Sequence, residues 1–83
     1  MTLQPTLDQL VPGQKAKVRK VGGAGAVRRR LMDMGLTSGV EIELLKAAPL
    51  GDPLEYRLRG FHLSLRKAEA REIQVEFQPG KQN

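Results

Sequence analysis

The sequence predicts a mainly β domain, a small five-stranded barrel with one α-helix inserted between its first and second strands. Three observations carry this reading. Five short segments alternate apolar and polar residues with the period of a strand. One segment, residues 27–34, repeats its apolar residues with the period of a helix, and two of the strand segments fit each other as a hairpin in one register. With 83 residues and a hydrophobic fraction of 40%, the chain supports a single modest core and one domain, expected over residues 1–77.

Thr6 followed by Gln9 has the spacing of a capping box, so a short helical turn carrying Leu7 and Leu10 is expected, ended by Val11-Pro12-Gly13. The first strand begins at Lys15, with Ala16 and Val18 inward and Lys15, Lys17 and Arg19 facing water. At Lys20-Val21 the alternation changes phase, which predicts a bulge before Gly22-Gly23. In the helix that follows, Val27, Leu31 and Met34 stand at i, i+4 and i+7 and lie on the barrel, while Arg28, Arg29 and Met32 point elsewhere. Gly35 occupies the C′ position where a left-handed residue stops a helix, and Leu36 beyond it is placed to contact Leu31. Asp33 lies within a helical turn of Arg30 and Arg29, close enough for weak surface pairs.

The second strand is Val40-Glu41-Ile42-Glu43-Leu44, with its glutamates outward. The third and fourth, Leu54–Leu58 and Phe61–Leu65, test each other. If Arg59-Gly60 is a two-residue loop, Leu58 faces Phe61, Tyr56 faces Leu63 and Leu54 faces Leu65, so all six large apolar residues share one face. Arg-Gly is not the favoured Asn-Gly pair for such a loop. KAEAR, residues 67–71, forms little more than one helical turn, and Ile73, Val75 and Phe77 then define the fifth strand. The tail, residues 78–83, has no core residue and is expected to be disordered. Five short strands in this order make an SH3-like barrel.

Charge is unevenly distributed. Residues 1–35 hold seven basic and two acidic residues, whereas residues 36–83 hold seven of each, so the whole excess of +5 lies in the first strand and its helix. This points to an acidic partner or an anionic surface, with Lys15, Lys17, Arg19, Arg28 and Arg29 as the residues that would meet it. A solvated basic face is the structural alternative. No apolar run approaches the ~20 residues of a membrane span, and the N-terminus lacks a signal-peptide pattern, so a cytoplasmic protein is expected.

The chemistry-bearing residues are few. There is no cysteine, and an 83-residue chain with one histidine offers almost no arrangement for catalysis, so no enzyme and no cofactor are expected. GGAG before the helix lacks the Lys-Ser/Thr ending of a phosphate loop. His62 is the one candidate metal ligand, a weak one, because it faces Arg57 across the hairpin with Glu55 only diagonal to it. In APLGDP, residues 48–53, Pro49 and Pro53 stiffen the loop around Leu50; this tip is either a simple connection or a preorganised apolar docking point, with Met32 a weaker second contact.

The chain as far as Val75 also carries a resemblance. RRRLMDMGL at the helix end, the APLGDP loop and LSLRKAEA, in this order over about residues 28–75, resemble the FeoA family, ferrous iron transport protein A. The family usually has Pro-Gly where this chain has Ser38-Gly39. The resemblance implies an SH3-like, non-enzymatic accessory of FeoB, the GTPase-linked membrane iron transporter, acting at the inner face of the cell membrane with a possible peripheral contact there. It implies no small-molecule substrate. Two alternatives are a KOW-type RNA binder, suggested by the basic first strand and its glycine loop, and a stand-alone relative of the barrel in iron-dependent repressors. Base-stacking aromatics and a helix-turn-helix are absent from the sequence, so nucleic acid is not the expected partner.

Overall fold

A computed structural model describes residues 5–77. After a 3-10 turn at Leu7–Gln9 the elements are β1 (Lys15–Val21), α1 (Gly25–Asp33), β2 (Glu41–Ala47), β3 (Leu54–Leu58), β4 (Phe61–Leu65), α2 (Lys67–Ala70) and β5 (Ile73–Phe77). The strands form one antiparallel sheet in the order β4-β3-β2-β1-β5. The sheet curls around a single core to which all five strands, both helices and the opening turn contribute. Residues 78–83 lie outside the described residues.

Two bulges supply the curl. In β1 the register against β5 slips between Val18 and Lys20, so Val18 and Val21, three positions apart, are both buried. A second slip separates Leu44 from Lys46 in the β2–β3 ladder. Each extra residue bends its strand and raises the local twist, which lets a five-stranded sheet wrap a core too small for two layers.

The opening turn is capped as its spacing predicts. The Thr6 N–H donates to Gln9 Oε1 at 2.9 Å, and Leu7 below it is fully buried. Tyr56 reaches this turn from β3, its hydroxyl donating to the Leu7 carbonyl at 3.1 Å. Burial, with a smaller contribution from the Asp8 charge, pushes the Tyr56 phenol well above its ordinary range.

Helix α1 stops at a Schellman motif. The Leu36 N–H donates to the Leu31 carbonyl at 3.2 Å and the Gly35 N–H to that of Met32 at 3.0 Å, with Gly35 at φ +102°. Leu31 and Leu36 are both fully buried, and Val27 and Met34 pack half-buried beside them.

The β3–β4 hairpin has the expected register, and Arg59 and Gly60 both take positive φ, 51° and 85°, the two-residue loop that matches strand twist. Phe61 departs from the one-face expectation. Leu63 and Leu65 are buried, but Phe61 beside the turn is 48% exposed although its partner Leu58 is fully buried, because Phe61 stands at the end of the edge strand, where no further strand covers it. Its ring sits over the end of α1, where a Cβ on Gly35 would come 3.9 Å from Phe61 Cζ. Phe77 is likewise exposed, two residues beyond the last core position of β5, Val75.

The expected pairing of Asp33 with Arg29 and Arg30 does not form. Arg30 instead pairs with Glu69, joining α1 to α2, because it stands on the flank of α1 that faces that turn.

Candidate functional site

The sheet changes what the basic first strand presents. Lys15 lies opposite Glu43 of β2, and Lys17 lies between Glu41 of β2 and Glu76 of β5. Arg19 pairs with Glu76 at 3.1 Å, and Arg57 of β3 reaches Glu43 at 2.9 Å. The outer face of the sheet is therefore a lattice of alternating sign. Such exposed pairs add about 0–1 kcal/mol each, but beyond the separation of each pair they cancel much of the field of the strand.

The helix arginines are divided in role. Arg28 donates from Nε to the Val21 carbonyl at 3.1 Å, tying the first turn of α1 to the end of β1. Arg29 is exposed and makes no ion pair among the described residues. Met32, one turn further on, is 38% exposed. Arg28, Arg29 and Met32 thus form a mixed basic and apolar strip on the outside of α1.

Leu50 is the most exposed large apolar residue described, at 96%. Its loop is clamped. The Ala48 N–H donates to the Pro53 carbonyl at 2.9 Å, and the Gly51 N–H donates back to the Ala48 carbonyl at 2.7 Å. Asp52 Oδ1 accepts from the Lys67 N–H at 2.9 Å, fastening the loop to the start of α2. A depression of about 360 Å³ beside the tip is lined by Lys46, Ala47, Ala48, Pro49, Pro53 and Glu55. An apolar side chain held out by a rigid loop loses little entropy on docking.

His62 is exposed on β4 with Arg57 as its cross-strand partner, and Glu55 pairs with Ser64, diagonal to it. Among the described residues no group of three or more His, Cys, Asp or Glu is placed to hold a metal ion. The exposed Phe61 was hidden in the sequence by the hairpin pairing; its position directly beside the turn was the one signal that it could leave the core.

A scan of protein families matches the FeoA domain over residues 6–77. The chain belongs to the FeoA family. A Porphyromonas gingivalis protein in which Fe(2+) transport protein A is fused to the Fe(2+) transporter FeoB is 39% identical over 71 residues, 86% of this chain. The chain spans only 8% of that fusion's length. Among solved structures, the FeoA-like protein of Clostridium acetobutylicum is 42% identical with a TM-score of 0.87, covering 100% of this chain and 96% of its own. FeoA of Stenotrophomonas maltophilia complexed with zinc, an SH3 domain protein of a prokaryote, is 30% identical with a TM-score of 0.78, over 87% of this chain and 89% of its own. The fold is thus the SH3-like one, and the match covers every element of the FeoA domain described above.

Proposed function

We propose that this FeoA domain is a non-enzymatic accessory of ferrous iron uptake that docks on a FeoB-type transporter at the cytoplasmic face of the membrane and modulates its activity or assembly. The observation that supports this best is the fused relative. Joining the domain to a transporter in one chain raises its effective concentration there to about millimolar, which is useful only if the domain works on that transporter. Among the described residues no helix is long and apolar enough to cross a membrane.

Leu50 on its clamped loop is the proposed anchor, and the Arg28, Arg29 and Met32 strip on α1 a second contact. Flanked by Glu43, Glu41 and Glu76, Lys15, Lys17 and Arg19 are proposed as a weaker contact, and the long-range attraction comes from the net charge of +5 of the whole chain. The test is co-purification with full-length FeoB, with and without nucleotide. Leu50→Asp is expected to abolish recovery while leaving the thermal midpoint within about 4 °C, since an exposed site contributes at most ~0.5 kcal/mol. A folded Leu50→Asp protein that still co-purifies would refute the anchor. Reversal of charge at Arg28 and Arg29 is expected to slow association and flatten its salt dependence.

A further inference from the structure

The two edges of the sheet are not alike. On the β5 side the chain covers its own edge: Thr6 bridges to Gln74, and the Val75 N–H donates to the Pro5 carbonyl at 2.9 Å. On the other side β4 is the last strand. In a two-residue hairpin the residues flanking the loop exchange both main-chain hydrogen bonds, and the pattern alternates from there. Leu58 with Phe61, Tyr56 with Leu63 and Leu54 with Leu65 are the bonded pairs. The main-chain N–H and C=O of His62 and Ser64 therefore point outward along the open edge, about 7 Å apart. No main-chain partner takes them among the described residues.

The edge also lacks the usual protection. Phe61–Leu65 contains no proline and no lysine, arginine, aspartate or glutamate. Cations bracket it instead: Arg59 at the turn, Arg66 and Lys67 at the far end, none of them in an ion pair among the described residues. Glu41 and Glu43 line the same groove as Arg59 together with Lys15, and Glu43 is already paired with Arg57. Phe61, 48% exposed, adds an apolar contact at the turn end.

We propose that the edge of β4 accepts an extended acidic peptide segment as a sixth strand. The main chains of His62 and Ser64 supply the ladder, and Arg59, Arg66 and Lys67 pair with acids at either end of the incoming segment. A second copy is disfavoured by the same charges. Two β4 edges related by a twofold run antiparallel, which lays Arg59 of one copy against Arg66 and Lys67 of the other.

The probe is a blocked nine-residue peptide with an alternating threonine–valine centre and two glutamates at each end, beside a counterpart ending in lysines. With the glutamate peptide, amide shifts and slowed hydrogen exchange are expected at His62 and Ser64, and at least tenfold weaker binding of the lysine peptide. Ser64→Pro removes one outward N–H without touching a bond to β3, a position where an edge strand tolerates proline, and is expected to weaken binding at least tenfold. If that variant does not fold, Arg66→Glu with Lys67→Glu decides, by reversing the preference toward the lysine peptide. Absence of binding, shifts confined to other elements, or equal affinity for both peptides overturns the proposal. A concentration-dependent dimer broken by Ser64→Pro also overturns it, assigning the edge to a second copy. Leu50→Asp is expected to leave peptide binding unchanged, so this site and the loop anchor fail independently.

Discussion

Replacing Gly35 by alanine separates two costs that the end of α1 combines. At φ +102° the backbone lies in a region that a residue with a Cβ enters at about 1–2 kcal/mol. The added Cβ would stand 3.1 Å from Leu58 Cδ2, closer than packed carbons normally come, so the fully buried Leu58 must give by a few tenths of an ångström. Crowding of this kind costs about 1–3 kcal/mol, so the total is about 2–4 kcal/mol. For a domain this size that lowers the thermal midpoint by roughly 10–25 °C. Gly39 is the control. Its φ is +91°, but a Cβ there meets nothing within 4 Å, so Gly39→Ala carries the backbone cost alone, about 1–2 kcal/mol. Urea unfolding followed by circular dichroism on the wild type and both variants gives the difference. Equal costs for the two would refute the Leu58 contact, and a loss below 0.5 kcal/mol at Gly35 (about half the smallest backbone cost) would refute the left-handed stop as well.

Arg59 is the one non-glycine described at positive φ, so Arg59→Asn is expected to raise stability by about 0.5–1 kcal/mol in urea unfolding, since asparagine tolerates that region better. Tyr56→Phe is expected to cost about 1–2 kcal/mol near neutral pH, by leaving the buried Leu7 carbonyl without its donor. The same substitution changes the alkaline limb. The folded phenol titrates above its unfolded value near 10, so its contribution is complete below pH 10 and is lost as pH rises beyond it; wild-type stability should fall more steeply there than that of Tyr56→Phe. Arg30→Ala removes the Glu69 pair between the helices and is expected to cost ~0.5–1 kcal/mol, with the loss shrinking in high salt.

What was legible in the sequence was mostly local. The hairpin register followed from three facing pairs, because a one-residue slip would have turned all of them to water, and the helix stop followed from one glycine with a leucine on either side. Phe61 was misplaced for a geometric reason. Alternation says which side of a strand a residue takes, not whether other elements cover it there, and on the edge strand β4 Phe61 stays half exposed opposite a fully buried Leu58.

The candidate site was less legible because charge in a sheet is set by neighbours distant in sequence. Lys15 and Glu43 are 28 positions apart and Arg19 and Glu76 are 57, yet the register brings each pair face to face. A strand that reads as basic along the chain is thereby cross-neutralised by its neighbours. Cations outside any ion pair among the described residues include Arg29 on the basic helix and also Arg59, Arg66 and Lys67 around β4, the last three in a half of the chain whose sequence charge sums to zero. The two surfaces make different demands on a partner. The α1 strip and Leu50 ask for apolar contact with acidic surroundings, whereas the β4 edge asks for exposed main chain. A folded surface satisfies the first, and only an extended segment satisfies the second. If both act on one transporter, charge reversal at Arg28 and Arg29 slows encounter, whereas Ser64→Pro leaves encounter unchanged and speeds release, a separation that stopped-flow association and dissociation traces measure directly.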